Sequence, residues 1–340
     1  MNTTILSQFQ SLFKDQKEVA IIGHKNPDGD AVGAALGLYW FLIELGHKPT
    51  VIVPNDFPDF LKWMPGSDQI LNFEQHPLTV SEFLTRAEII CTLDFNDLSR
   101  VGSLESLLHD LKKPFVMIDH HQQPADYAVL TWSDTTMSST SEMVAHLIEA
   151  WTGWPGCSQA MATNLYTGIM TDTGSFKFPA TTAKTHRIAA ALIEAGADHS
   201  AIHRAVYDNQ SPGRMKLLGR ALEHMVIKQD WQTAYTFLSQ SDLDQCDFKK
   251  GDTEGFVNYA LQLAGIKFAL IFIENKSEQI IKISLRSIGN FSVNDFARNH
   301  FNGGGHINAA GGRYQGKLSE AIEHLLSHLP LYKNELYEAE

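Results

Sequence analysis

The stretch VAIIGHKNPDGD, residues 19–30, leads from a short apolar strand into a loop that carries one histidine and two aspartates. Four consecutive apolar residues are typical of a buried strand, and the apolar spacing that follows predicts a helix over residues 31–45. The loop brings His24, Asp28 and Asp30 to one place, a nitrogen and oxygen set suited to a divalent metal ion. A purely structural turn and helix cap would use the same residue types.

Apolar strands alternate with helical segments through the rest of the first half of the chain. Further strands are predicted at residues 48–53, 89–94 and 115–119, and further helices at residues 139–151, 159–170 and 182–195. This alternation predicts an α/β domain, with a parallel sheet and helices on its faces. Because ligands of such sheets gather at the carboxyl ends of the strands, we expect the site among the polar residues that follow them.

Polar residues follow two of these strands and one of the helices. Asp94 comes directly after an apolar strand in ICTLDFND, and Asp119, His120 and His121 close the strand PFVMI. Asp172 follows an apolar helix in YTGIMTDTGSF. A single aspartate in such a place is usually a cap or a solvated turn residue. The histidine pair is more specific, since one ring can bind a metal while the other faces a substrate.

Four carboxylates that share one cavity with two histidines would repel one another as bare groups, because like charges a few ångströms apart destabilise each other. Two divalent cations would remove the repulsion. Metal ions about 3.5 to 4 Å apart can hold both the attacking and the leaving oxygen of an in-line displacement. The pattern predicts two divalent metal ions, with manganese favoured over magnesium or cobalt, and hydrolysis of a phosphate ester.

The last third of the chain indicates a smaller α+β unit. Strands are predicted at residues 233–238, 268–274 and 280–286, and helices at residues 255–264, 293–301 and 319–329. The unit contains a glycine run from Gly303 to Gly305, followed by His306 and preceded by Arg286. Consecutive glycines let backbone N–H groups approach an anion, so Gly304, Gly305, His306 and Arg286 are candidate phosphate-binding residues. A plain loop beside an exposed strand would show the same pattern.

The turn-rich segment DNQSPGR, residues 208–214, marks the connection between the two predicted domains. We expect a first domain at residues 1–205, a linker helix region at residues 206–228 and a second domain at residues 229–340. Apolar residues at the amino-terminal end recur at helical spacing, which predicts an amphipathic packing helix there.

The bulk composition limits the classes of partner. A net charge of −12 and a pI near 5.6 argue against a broad basic surface for long duplex DNA. No stretch matches the roughly 18 uninterrupted apolar residues of a membrane helix. Cys91, Cys157 and Cys246 are widely separated and form no disulfide or metal pattern. We expect a cytoplasmic protein that does not bind membranes, and a homodimer is compatible with the sequence.

With these motifs in their order, the sequence resembles the DHH phosphoesterase family over residues 15–315, in particular members with a DHH-associated carboxyl-terminal domain and a GGGH signature. The resemblance is strongest to oligoribonucleases that act on RNA of two to five nucleotides and also remove the 3'-phosphate of phosphoadenosine phosphate. It implies an active site in the cleft between the two domains. The chain departs from many relatives at Ser175, where they carry a basic residue; Lys177 is close by.

The resemblance also implies a role for each candidate residue. The implied metal ligands are His24, Asp28, Asp30, Asp94, His120 and Asp172. Asp94 would bridge the two ions, and His121 would face the scissile phosphate. The second domain would hold the substrate's other phosphate through Arg286 and His306, beside Gly304 and Gly305.

Four other functions compete with this hypothesis. A phosphodiesterase for cyclic dinucleotides or their linear products would use the same metal site, and the sequence barely separates the two. A RecJ-like exonuclease is disfavoured because the chain lacks added domains and a basic groove. A pyrophosphatase is disfavoured because those relatives have a different carboxyl-terminal domain. An inactive nucleotide-binding regulator is disfavoured because every implied ligand is present.

Overall fold

The computed structural model describes residues 3–339 of the chain. They divide into two compact units, with the boundary between Asn209 and Gln210. The predicted linker helix region, residues 206–228, contains the end of one helix of the first unit, followed by a helix and a short strand of the second unit. The predicted domain boundaries at residues 205 and 229 stay predictions.

Within the described residues, the first unit holds a six-stranded parallel sheet with the strand order β3-β2-β1-β4-β5-β6. The strands are β1 (Glu18–Ile22), β2 (Lys48–Val53), β3 (Leu71–Asn72), β4 (Ile89–Leu93), β5 (Phe115–Asp119) and β6 (Leu130–Ser133). Val19 and Ile21 of β1 pack into the core on one face of the sheet, and Ala20 and Ile22 pack into the core on the other. Because both faces are covered, the inner strands β1, β4 and β5 are largely apolar runs, and the predicted α/β fold is confirmed.

Helices cover both faces of this sheet. They are α1 (Thr3–Leu12), α2 (Gly29–Glu44), α3 (Pro77–Arg86), α4 (Glu105–Asp110), α5 (Thr140–Trp151), α6 (Gln159–Asp172), α7 (Ala183–Glu194) and α8 (His199–Tyr207). The amphipathic helix predicted at the amino-terminal end is α1, and Phe9 and Phe13 anchor it in the core. Among residues 3–339, no helix combines the length and the apolar character needed to cross a bilayer.

The second unit is a mixed six-stranded sheet with the order β11-β12-β10-β9-β8-β7, in which β8 and β9 are parallel. The strands are β7 (Val226–Lys228), β8 (Thr233–Leu238), β9 (Phe268–Asn275), β10 (Ile280–Ser287), β11 (Gly304–Gly305) and β12 (Ala309–Tyr314). The helices are α9 (Pro212–Glu223), α10 (Gln240–Gln245), α11 (Val257–Ala260), α12 (Val293–His300), α13 (Leu318–His328) and α14 (Lys333–Glu338). Separate apolar cores lie on the two faces, so the predicted α+β unit is confirmed.

Helix α2 lies close to α6 because glycines face the contact. Gly29, Gly33 and Gly37 are four residues apart, which places them along one face of α2. A Cβ atom on Gly33 would lie 2.6 Å from the carbonyl oxygen of Asn164 and 2.9 Å from the backbone of Gly168. This contact sets the distance between the start of α2, where Asp28 and Asp30 lie, and the end of α6, where Asp172 lies.

We expect Gly33→Ala to destabilise the first unit by about 1–3 kcal/mol, because the added methyl group meets backbone atoms that cannot rotate away. Gly219→Ala in α9 is the control, since a Cβ atom there meets no atom within 4 Å. Replacing an unhindered helical glycine stabilises a helix by roughly 0.5–1 kcal/mol. Thermal unfolding followed by circular dichroism measures both variants, and an unchanged midpoint for Gly33→Ala would contradict the packing argument.

Candidate metal centre

The carboxyl ends of three neighbouring strands meet at one edge of the parallel sheet. His24 comes shortly after β1, Asp94 follows β4, and Asp119 is the last residue of β5. Strands β1 and β4 lie side by side where the strand order reverses. In open α/β sheets this is the point at which ligands bind. The topology alone therefore brings together side chains that are far apart in the sequence.

The local backbone directs two of the aspartates. Asp28 is the N-cap of α2, and its Oδ1 accepts hydrogen bonds from the N–H groups of Asp30 and Ala31, each at 3.0 Å. Asp94 has a φ of 66°, in the left-handed region that residues other than glycine rarely adopt. Such conformations cluster at functional sites. Although it follows a strand end, the Asp94 side chain is buried, so it points into the protein.

Asp94 lies between two groups of possible metal ligands. Its Oδ2 is 3.4 Å from Nε2 of His24, and this nitrogen is 3.8 Å from Oδ1 of Asp28. Its Oδ1 is 3.5 Å from Nε2 of His120. The ligand atoms of His24, Asp28 and Asp94 lie within 4.8 Å of one another. The two oxygens of one carboxylate therefore face two different histidines.

The second group forms around His120. Its Nε2 lies 3.5 Å from Oδ2 of Asp172 and 3.9 Å from Oδ2 of Asp30. The ligand atoms of these three residues lie within 4.8 Å of one another. All six predicted metal ligands are therefore gathered in the first unit, in two sets that share Asp94.

Hydrogen bonds fix the tautomers of the two histidines. Nδ1 of His24 donates to the carbonyl oxygen of Lys25 at 2.9 Å, and Nδ1 of His120 donates to the carbonyl oxygen of Met137 at 3.2 Å. Each ring therefore turns Nε2 toward the carboxylates. Metal-binding histidines commonly donate their other ring N–H to a carbonyl in this way, which orients the ligand nitrogen. The donor set fits divalent cations.

Burial and crowding raise the pKa values of two of the carboxyl groups. Burial raises the pKa of Asp172 to about 6, and the charges of Asp28 and Asp94 act in the same direction. Burial, and then the charges of Asp94 and Asp172, raise the pKa of Asp30 well above its ordinary range. Ionising one of these carboxyl groups makes it harder to ionise the next, so a positive charge in the cavity would be stabilised.

The raised pKa values of His24 and His120 also show that the cavity favours positive charge. Burial lowers the pKa of His24, but hydrogen bonds to Asp28 and Asp94 outweigh it and raise this pKa to about 10. The pKa of His120 is raised well above its ordinary value in spite of burial, first by its hydrogen bond to Asp94. A divalent cation would supply the same positive charge.

His121 is oriented differently from His120. Its Nδ1 donates a hydrogen bond to Oδ1 of Asp119 at 2.8 Å, and the same nitrogen is 3.7 Å from Oδ1 of Asp94. Asp119 is fully buried, so it cannot swing away from the ring. The histidine pair therefore divides into one ring that faces the carboxylate ligands and one that Asp119 holds beside them.

The start of α5 holds two of the carboxylates through contacts that were not expected from the sequence. The N–H groups of Thr140 and Ser141 donate to the two oxygens of Asp30 at 2.7 and 2.9 Å. The hydroxyl of Thr140 donates to Oδ1 of Asp94 at 3.0 Å. The amino-terminal end of a helix stabilises negative charge, so these contacts favour the charged form of both aspartates, although burial and the neighbouring carboxylates still raise the pKa of Asp30. The available signal was the run SSTSE, residues 138–142, a helix-capping pattern.

The predicted phosphate-binding residues lie in the second unit. Arg286 is on β10, opposite Ala309 of β12, and Gly304 and Gly305 form β11. The N–H group of Gly305 donates to Oδ1 of Asn294 at 2.9 Å. Part of the glycine run is therefore hydrogen-bonded within the second unit, whereas the sequence pattern predicts that the run binds an anion. The roles of these residues in binding stay predictions.

The residues near the predicted departure from the family pattern have contacts of their own. The hydroxyl of Ser175 lies 3.0 Å from Nε2 of His203 in α8. Phe176 stacks on His186 with a ring centroid distance of 5.4 Å. Lys177 is exposed.

Comparison with known proteins identifies the family of the chain. Residues 18–169 match the model described as "DHH family, N-terminal domain", and residues 232–331 match the DHHA1 domain. The structure of an exopolyphosphatase-related protein from Bacteroides fragilis is similar over 99% of this chain and 98% of that chain, with 38% identity and a TM-score of 0.94. The chain belongs to the DHH family.

Two further relatives of this DHH-family protein are similar along most of their length. One is the bifunctional oligoribonuclease and PAP phosphatase NrnA of Thermus thermophilus, 29% identical, with 91% of this chain and 88% of the relative covered. The other is the protein of the same name from Bacillus subtilis, 28% identical, with coverage of 85% and 86%. The resemblance and the two-domain architecture predicted from the sequence are confirmed.

We expect Asp94→Asn to weaken Mn²⁺ binding to this DHH-family protein by at least about tenfold, because it removes a charge that both ligand groups share. Asp97→Asn is the matched control, since the Asp97 side chain caps a neighbouring turn by accepting from the N–H of Ser99. Calorimetric titration of the stripped protein with Mn²⁺ measures both. Equal affinity in Asp94→Asn and the wild type would rule out a shared ligand at this position.

Proposed function

We propose that this DHH-family protein is a divalent-metal-dependent phosphoesterase with two related activities. It hydrolyses oligoribonucleotides of two to five nucleotides to mononucleotides, and it removes the 3'-phosphate of phosphoadenosine phosphate. The observation that carries the proposal is the position of Asp94, whose two oxygens face His24 and His120. Relatives whose names state both activities, similar over most of both chains, support the substrate class.

Two ions would be held by residues of the first unit. His24 and Asp28 would bind one ion, Asp30, His120 and Asp172 would bind the other, and Asp94 would bind both. Oxygen-rich sets with imidazole suit manganese, and they also admit magnesium or cobalt. When bound, such ions lower the pKa of a water nucleophile and stabilise the negative charge that develops on the phosphoryl oxygens.

His121 acts on the scissile phosphate. Asp119 holds the ring through Nδ1, so the orientation of Nε2 is set before a substrate arrives. A hydrogen bond from Nε2 to a phosphoryl oxygen would strengthen as charge builds up on that oxygen. Preorganised donors of this kind lower the barrier because they need no reorientation during the reaction.

The second unit recognises the substrate's other phosphate. Arg286 supplies a planar guanidinium that can bind two phosphate oxygens at once, and His306 supplies a second donor. Gly304 and Gly305 directly precede His306 in the sequence and belong to the same proposed phosphate site. A terminal phosphate bound in this way measures the length of the substrate, which favours short RNA over long strands. The net charge of −12 agrees, because long nucleic acids bind through many basic contacts.

We expect the purified protein with Mn²⁺ to hydrolyse both the dinucleotide pApA and phosphoadenosine phosphate. Asp94→Ala should abolish both activities, because both use the shared ligand. The same assay should also be run with four other substrates: pyrophosphate, a long single strand, a cyclic dinucleotide and its linear product. Failure to hydrolyse either pApA or phosphoadenosine phosphate would overturn the proposal, and a preference for the cyclic form would favour the alternative phosphodiesterase.

We expect His121→Gln to lower kcat by about 100-fold or more while Mn²⁺ affinity stays near the wild-type value, since this ring acts on the phosphate. The effect on KM should be smaller than the effect on kcat. His199→Gln is the control, because His199 is an exposed residue at the start of α8. Steady-state kinetics on pApA together with Mn²⁺ titration make the comparison. A kcat equal to that of the wild type would remove His121 from the mechanism.

A further inference from the structure

Three histidines converge within the second unit, on elements that the proposed reaction does not use. His300 is the last residue of α12, His324 lies in α13, and His328 is the last residue of α13. One ring nitrogen from each lies within 4.8 Å of the others. The centroid of the His328 ring is 4.3 Å from that of His300 and 4.5 Å from that of His324. All three are half-buried, so an ion can reach them from solvent.

The hydrogen bonds of these rings leave one nitrogen of each for a ligand. Nε2 of His324 donates to the carbonyl oxygen of His300 at 3.1 Å, and Nδ1 of His328 donates to the carbonyl oxygen of His324 at 2.8 Å. Nε2 of His300 lies 2.7 Å from the hydroxyl of Tyr332. Histidine ligands of metals typically tie their second nitrogen to a carbonyl or another oxygen in this way, which fixes the tautomer.

Charge also favours a cation at this place. Helices α12 and α13 both end at the cluster, and the carboxyl-terminal end of a helix carries partial negative charge. His324 and His328 are one helical turn apart, so their side chains lie on the same face of α13.

We propose that His300, His324 and His328 form a separate binding site for a transition-metal ion of the zinc type. Three imidazoles suit Zn²⁺, Ni²⁺ or Cu²⁺, whereas Mn²⁺ and Mg²⁺ prefer the oxygen ligands of the first unit. The ion fastens the end of α12 to α13 and stabilises the second unit. This site is independent of the proposed phosphoesterase activity.

A competing explanation is that the three rings only pack as aromatic side chains. His324 contacts Phe301 and Tyr314, with ring centroids 5.5 Å apart in each case. His324→Phe keeps an aromatic ring at this position and removes the ligand nitrogen, so it separates packing from metal binding. His328→Gln is a second variant that reports independently if the first does not fold.

The test is a calorimetric Zn²⁺ titration of the full-length, chelator-stripped protein, with thermal unfolding as a second measurement. We expect His324→Phe and His328→Gln each to bind one Zn²⁺ per chain fewer than the wild type, because ions held by the first unit cancel in the comparison. The rise of the unfolding midpoint that Zn²⁺ causes in the second unit should also be lost.

The control is His224→Phe. His224 is a half-buried histidine of the same unit that stacks on Phe237, and it belongs to no such group of three among the described residues. It should bind as many ions as the wild type. If His324→Phe and His328→Gln bind Zn²⁺ with wild-type number and affinity, the proposal is overturned and the cluster is aromatic packing. An equal loss in His224→Phe would overturn it as well.

Discussion

The two oxygens of Asp94 lie 3.4 Å from Nε2 of His24 and 3.5 Å from Nε2 of His120, in a part of the protein that water barely reaches. Asp28, Asp30 and Asp172 complete the two groups around this carboxylate. Asp30 and Asp94 are buried, whereas Asp28 and Asp172 are partly exposed. Acidic groups this close together cost free energy unless positive charge accompanies them. Much of the first unit acts as a scaffold that holds these carboxylates close together.

The scaffold acts at several levels. The parallel sheet brings the ends of β1, β4 and β5 together, and the left-handed backbone at Asp94 turns its side chain inward. Glycines on α2 allow a close approach to α6, which brings the start of one helix near the end of the other. Helix α5 adds backbone N–H groups that bind Asp30. Each of these features places an aspartate or a histidine of the cluster, and all of them lie within the first unit.

The sequence predicted the inner strands well for a physical reason. β2 (Lys48–Val53) and β5 (Phe115–Asp119) have the predicted bounds, because strands covered on both faces are continuous apolar runs that end at polar residues. Strand β6 was missed because it lies at the sheet edge and alternates between buried and exposed residues. Strand β3 has two residues, too few to show any period. Helices α3, α4 and α8 have 10, 6 and 9 residues and were not among the predicted helices, although Val80 and Leu84 of α3 are buried at helical spacing, as are Ile202 and Val206 of α8.

The six proposed ligand residues lie together as expected, because the strand ends showed where such side chains would meet. Their binding of metal ions stays a prediction. The hydrogen bonds that Thr140 and Ser141 donate to Asp30 could not be predicted from the sequence, because they come from backbone N–H groups that nearly every residue type possesses. The hydrogen bond from the Gly305 N–H to Asn294 could not be predicted from the sequence either. It joins α12 to β11, and only the fold brings these two elements together. Sequence patterns identify reactive groups better than they identify the groups that hold them.

Crystals of the wild-type protein grown with Mn²⁺, measured at the manganese absorption edge, test the central claim most directly. The account predicts two anomalous peaks in the first unit, one beside His24 and Asp28, the other beside His120, Asp30 and Asp172, with a carboxylate oxygen of Asp94 next to each. A single peak, peaks away from Asp94 or an absence of anomalous signal at these residues would contradict it.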